Sequence, residues 1–139
     1  MTTRPSTPRL HRLATCNCGQ LQVQAAGEPI RISVCHCLAC QRRTGSPFAM
    51  QARFERPNVR IEGSAKQYVR VTDSGNQCMH YFCPECGSTV YYQSNAAPEV
   101  FAIPVGAFAD PQFPEPRFSV YESRKHSWVH MPDAVEHMD

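Results

Sequence analysis

Seven of the eight cysteines stand in three clusters: Cys16-Asn17-Cys18, Cys35-His36-Cys37-Leu38-Ala39-Cys40 and Cys83-Pro84-Glu85-Cys86. Thiolates one and three residues apart reach a common ion without long loops between them, so the spacing reads as zinc ligation. A structural zinc site is closed by four ligands, whereas a catalytic one keeps a position open, and seven clustered thiols divide into four plus three. Cys16, Cys18, Cys83 and Cys86 form the closed set, which fastens the start of the chain to its middle. Gly87 then permits the turn that lets the last two thiols face one ion. Cys35, Cys37 and Cys40 form the open set, where water, a substrate thiol or a distant side chain takes the fourth position. Two Zn²⁺ ions per chain are expected, one structural and one catalytic; four thiolates also suit iron.

Two competing readings use the same residues. Eight cysteines permit a disulfide framework, but the N-terminal stretch has no basic segment followed by an apolar run, which points to a reducing, cytoplasmic setting. Alternatively Cys78, His80 or His36 closes the second site. His36 lies between two ligands and is expected to point away from their metal, while Cys78 and His80 alternate onto one strand face and can reach it if that strand passes nearby.

The elements that must position these thiols are mostly strands. Apolar and β-branched alternation marks residues 21–25, 30–34, 48–54, 59–61, 68–72, 79–82, 89–92, 100–105 and 118–121. Turn residues separate many of them, among them Gly27-Glu28-Pro29 and Asp73-Ser74-Gly75-Asn76. The best helical stretch is Leu38 to Thr44, and Pro104, Pro111, Pro114 and Pro116 exclude a long helix between residues 103 and 117. The fold class is mainly β in a single domain, with short helical turns. Residues 1–12 are polar and read as a flexible N-terminal arm, and residues 13–139 as the zinc domain. With 139 residues the core is modest, and each metal cross-link adds on the order of 10 kcal/mol of folding free energy.

No apolar stretch approaches the length of a membrane span. The formal charge is +2, but seven metal-bound thiolates and two dications lower it by three, to about −1. The basic balance therefore argues little for nucleic acid, since the arm offers only Arg4, Arg9, His11 and Arg12. Trp128, Phe118 and Tyr121 are candidates for a substrate cleft, though aromatics in β-rich chains mostly fill or edge the core. Tyr91 and Tyr92 are expected on opposite sheet faces, and His126, His130 and His137 on the surface.

The ordered succession Cys-x-Cys-Gly, then Cys-His-Cys-x-x-Cys-Gln-Arg-Arg-Thr-Gly-Ser-Pro-Phe, then Phe-Cys-x-x-Cys-Gly-Ser resembles the glutathione-dependent formaldehyde-activating enzyme family, which also includes centromere protein V. The likeness runs from about Thr15 to the C-terminus, through Val105-Gly106-Ala107-Phe108 and Ser123-Arg124-Lys125-His126-Ser127-Trp128. It implies a β-tent fold, a structural zinc on Cys16, Cys18, Cys83 and Cys86, and a catalytic zinc on Cys35, Cys37 and Cys40. The implied reaction joins glutathione, or a similar small thiol, to formaldehyde or another small aldehyde, giving S-(hydroxymethyl)glutathione; formally this is a carbon–sulfur lyase in reverse. Zinc would hold the thiol as thiolate, and Arg42 and Arg43 are the candidates for glutathione's carboxylates, with Arg70 and Lys66 behind them. The chain departs from the pattern at Ala14-Thr15, where a small pair is common, and at His80-Tyr81, where an arginine is common. The alternative function is a non-catalytic zinc-stabilised binding module or glutathione carrier.

Overall fold

The computed structural model describes residues 10–139. In chain order it comprises β1 (His11–Thr15), β2 (Gln22–Ala26), β3 (Arg31–Cys35), helix α1 (Leu38–Thr44), β4 (Ala49–Glu55), β5 (Val59–Glu62), β6 (Lys66–Val71), β7 (Gln77–Phe82), β8 (Thr89–Ser94), β9 (Val100–Pro104), β10 (Phe118–Val120) and β11 (Glu136–His137). Short 3-10 turns cover Arg56–Asn58, Val105–Phe108 and Glu122–Arg124. The mainly β, single-domain class is as expected, and the helix falls on the stretch named for it. β1 and β11 carry too little apolar alternation to stand out, and pairing with a neighbour makes each of them a strand. Most of the arm read as residues 1–12 lies outside the described residues; β1 already begins at His11.

Two sheets share one core. A three-stranded antiparallel sheet has the order β1-β2-β5, and an eight-stranded sheet the order β11-β10-β3-β4-β9-β8-β7-β6. In the large sheet β10 runs parallel to β3 and β11, and the remaining neighbours are antiparallel. Side chains alternate across a strand, so the polar-apolar pattern assigns the faces. Leu21, Val23 and Ala25 from the small sheet meet Ala52, Phe54, Val90, Tyr91, Phe101 and Ile103 from the large one, and Phe108 closes the end. Tyr91 is buried in this core, where it stacks on Tyr81 with ring centroids 4.5 Å apart, and Tyr92 takes the other face, the opposition expected for the pair.

The other face of the large sheet is polar. Tyr68, His80 and Tyr92 are directly opposed on β6, β7 and β8, with Ala102 and Arg53 continuing the row across β9 and β4. Arg70, Cys78 and Ser94 make the next row. Helix α1 begins at Cys37, whose sulfur accepts the Cys40 amide, and ends at Gly45 in a left-handed conformation that its lack of a Cβ allows.

The hinge from β5 to β6 is set by a close backbone approach. Gly63 has φ +103°, and a Cβ there would fall 2.1 Å from the Gln20 carbonyl oxygen. Gln20 also bonds the next residue twice, donating from Nε2 to the Ser64 carbonyl at 2.7 Å and accepting from the Ser64 amide at 2.9 Å. Gly63→Ala is expected to destabilise the protein by about 1–3 kcal/mol in urea unfolding through this overpacking; an unchanged midpoint would contradict the contact.

Candidate functional site

The four-thiol group forms where two tight turns meet. Gly19 donates its amide to the Cys16 carbonyl and Gly87 donates to the Cys83 carbonyl, each glycine at positive φ, so both turns fold their cysteines inward. Cys16, Cys18, Cys83 and Cys86 then place all four sulfurs within 4.8 Å of one another. Cys16 Sγ lies 3.6 Å from Cys18 Sγ, and Cys18 Sγ lies 3.7 Å from Cys83 Sγ. Sulfurs bonded to one tetrahedral zinc at ~2.3 Å stand about 3.8 Å apart, so the donor set fits that ion. These separations are far beyond an S–S bond of about 2.05 Å, and all eight cysteines are free, which removes the disulfide reading.

Donors are arranged around these sulfurs as thiolates require. The Leu21 amide points at Cys16 Sγ (3.3 Å), the Cys18 amide at Cys86 Sγ (3.4 Å), and Gln20 Nε2 at Cys83 Sγ (3.0 Å). Such N–H groups stabilise negative sulfur and orient it, as outer partners of metal ligands commonly do. Hydrogen bonds from Ser88 and Cys18 hold the Cys86 thiol down at about 5.

The three-thiol group sits at the end of β3 and the start of α1. Cys35, Cys37 and Cys40 again lie within 4.8 Å of one another. Hydrogen bonding from Cys35 and Cys37, with the Arg43 charge, pulls the Cys40 thiol down to about 5, while the bond to Cys40 and burial push Cys35 up. Three adjacent thiols thus already share their protons unequally, and a cation there would take them as thiolates.

His36 turns away from the group, as its place between two ligands suggests. It is fully buried, and its Nε2–H donates to Ser119 Oγ at 2.8 Å; Ser119 in turn donates to Glu122 Oε2 at 2.8 Å. His137, exposed at the surface, donates from Nδ1 to the same carboxylate at 2.8 Å. Burial raises the Glu122 carboxyl, but the bonds from His137 and Ser119 win and hold it below the usual range.

Two cavities flank Cys40. One, of about 680 Å³, contains Cys35, Cys37 and Cys40 with Arg42, Arg53, Arg70 and Arg124. The other, of about 710 Å³, lies over the polar face of the large sheet and is walled by Cys40, Arg43, Tyr68, His80, Phe82 and Tyr92. Five arginines line the pair, and Asp73 is the one carboxylate among the lining residues. The candidates Arg42 and Arg43 therefore border the cleft: Arg42 is exposed, while Arg43 lies over the Tyr92 ring at 5.0 Å. Arg70 lines both cavities, and Lys66, at the far end of β6 opposite Phe82, lines neither.

Cys78 and His80 face this cleft without joining the thiol group, which contains Cys35, Cys37 and Cys40 alone. His80 is 8% exposed, and its Nδ1 has no partner. Burial, reinforced by Arg43 and Arg70, lowers its imidazole to about 4 and keeps it neutral. Burial likewise raises the Tyr92 hydroxyl and the Cys78 thiol.

The aromatics named for a cleft divide. Tyr121 (55% exposed) and Trp128 (63% exposed) do not fill the core; Tyr121 lines the cavity that holds the thiols, because a left-handed turn at φ +56° swings it outward. His126, His130 and His137 are exposed, as read. Gln51, Arg53, Tyr68 and Arg124 were missed. The signal for two of them was present in β4, where Gln51 and Arg53 alternate with Ala52 and Phe54 and so mark a second, polar face.

The β domain thus carries a four-sulfur and a three-sulfur group that could each hold a metal ion, and the three-sulfur group opens onto an arginine-lined cleft. The chain belongs to the glutathione-dependent formaldehyde-activating enzyme family, whose model matches residues 11–124. It is 29% identical over 77 residues to a Schizosaccharomyces pombe protein named as an uncharacterized lyase; the match covers 55% of this chain and 53% of that one, so the chain spans about half the length of this relative. A solved structure of a Rhodobacter sphaeroides protein shares the fold, with TM-score 0.54 and 24% identity over 68% of this chain and 85% of that one.

Two outcomes are expected. Metal analysis with thermal unfolding should show Cys83→Ser losing one equivalent together with cooperative melting, Cys40→Ser losing one equivalent but still melting cooperatively, and Cys78→Ala keeping both. Acid titration should show the His80 effect. Its folded pKa of about 4 lies below the usual 6.5, so the unfolded chain binds the extra proton and stability falls as pH drops from 6.5 towards 4. Relative to His80→Gln, the native protein should lose up to roughly 3 kcal/mol more over that interval.

Proposed function

We propose that the chain is a zinc-dependent carbon–sulfur lyase acting on adducts of glutathione with an aldehyde, S-(hydroxymethyl)glutathione being the simplest. The observation that carries this reading is the three-sulfur group lying open to two cavities lined by arginines. Family membership supports it, and so does the lyase name of the fission-yeast relative. A zinc ion held by Cys35, Cys37 and Cys40 supplies a thiolate at neutral pH and a Lewis acid for a carbonyl oxygen. A second zinc on Cys16, Cys18, Cys83 and Cys86 is structural.

The chain's own residues bind and orient. Glutathione carries two carboxylates, and guanidinium forks bind carboxylates in fixed geometry. Arg42 and Arg70, which border both cavities, and Arg43, held over Tyr92, surround the sulfur group from the sheet side and the helix side. His80 is neutral at physiological pH, so it adds hydrogen-bonding capacity without adding charge. In the forward direction the thiol sulfur bonds to the aldehyde carbon, the carbonyl π pair moves to oxygen, and oxygen takes the thiol's proton. Thiolate ligands of this kind persist in a reducing compartment, and the cytoplasm suits the reaction.

Calorimetric titration of the two-zinc protein tests the assignment. Glutathione should bind at least tenfold more tightly than S-methylglutathione, which cannot supply a thiolate, and Cys37→Ser should lower turnover at least a hundredfold while still melting cooperatively. Full activity in Cys37→Ser would end this reading.

A further inference from the structure

The sulfur group serves two separate spaces. Cys40, Arg42 and Arg70 border both, so the cavities meet beside one thiol. The basic cavity of about 680 Å³ holds all three sulfurs and is by itself within the ~300–1,000 Å³ range of small-molecule sites. It is large enough for a tripeptide thiol. The second cavity, about 710 Å³, is then left for the acceptor, and formaldehyde would leave it almost empty.

The walls of that second cavity indicate what fills it. Tyr68, His80 and Tyr92 stand directly opposite one another on adjacent strands and therefore face the same way. His80 and Tyr92 are 5.2 Å apart between ring centroids, Phe82 adds a further ring to the wall, and Tyr68 forms the rim with 60% of its surface exposed. A planar ring inserted over this row makes offset or edge contacts with several aromatic partners at once. The floor also holds unspent polar capacity. Gln51 and His80 are both more than nine-tenths buried, and Gln51 Oε1 and His80 Nδ1 have no partner.

Resting on the function proposed above, we infer that the acceptor is an aldehyde carrying an aromatic substituent, which seats on the Tyr68-His80-Tyr92 row while its carbonyl reaches glutathione's thiol beside Cys40. The chemistry is redox-neutral. One carbon–sulfur bond forms, the carbonyl π bond breaks, and the thiol's proton ends on the new hydroxyl.

The test compares phenylacetaldehyde with formaldehyde as acceptors for glutathione on the two-zinc protein, each rate being divided by its spontaneous rate. The acceleration is expected to be at least tenfold larger for phenylacetaldehyde. Tyr68→Ala, at an exposed rim position, and Cys78→Phe, which fills the cavity, should each lower that ratio at least fivefold. S-benzylglutathione should also bind at least tenfold more tightly than S-methylglutathione. Turnover of formaldehyde without preference for the aromatic aldehyde would overturn the inference and leave the proposed function standing. So would variants that weaken both aldehydes equally, because the cavity would then belong to glutathione. Turnover of neither aldehyde would remove both.

Discussion

The structure brings four sulfurs, from two turns far apart in the sequence, to the spacing of one tetrahedral ion. Cys18 and Cys83 are 65 residues apart in sequence and 3.7 Å apart at sulfur. A metal bound by four thiolates is worth about 10–16 kcal/mol, whereas a domain's whole stability is typically about 5–15 kcal/mol. A metal held by these four thiolates would therefore be comparable to everything else that holds the chain together. Such a clip would join the two sheets at the ends of their strands and supplement a modest core: Cys16 and Cys18 follow β1 of the small sheet, and Cys83 and Cys86 lie between β7 and β8 of the large one.

The same placement connects stability to the cleft. The knuckle Cys83–Gly87 ends β7 and starts β8, the strands that carry Cys78, His80 and Tyr92. Fixing the knuckle fixes the register of that hairpin, and register decides which side chains face out, since a slip of one residue would turn His80 to the core and Tyr81 to the cleft. Charge then gives the cleft its character. Five arginines against one aspartate produce a strongly positive recess on a chain whose net formal charge is only +2. The focusing of positive charge is local, which is why the overall balance says so little about the ligand.

Much of this was legible in the residues. Cysteine spacing divided the thiols into the same four and three that the structure brings together, because ligands one and three residues apart constrain geometry locally. The helix at Leu38–Thr44 and the core strands were legible for the same reason: alternation and capping are local signals. The cleft was less so. Arg53 and Tyr68 are 15 residues apart and are placed on one face of the sheet only through the pairing of strands β7, β8 and β9 between them, an arrangement that no local pattern encodes. Tyr121 was named as a cleft candidate against the general tendency of aromatics to fill the core, but the left-handed backbone that swings it outward is invisible to composition. β11 is two residues long and exists only because β10 offers it an edge.

The two sulfur groups differ in what holds them. The four-sulfur group is built from tight turns and amide donors, so its shape is local to its own loops. The three-sulfur loop is anchored from outside: the His36 amide donates to Val120, its carbonyl accepts from Gln41 Nε2, and its buried ring runs through Ser119 to Glu122 and His137. Every one of those partners except Gln41 belongs to the last twenty or so residues of the chain, whose strand β10 pairs in parallel with β3. The C-terminal segment is thus a brace for Cys35 and Cys37. An open site needs such a brace more than a closed one does, because three ligands leave an ion's geometry under-determined, and hydrogen bonds behind the ligands must set the direction in which the vacant position points.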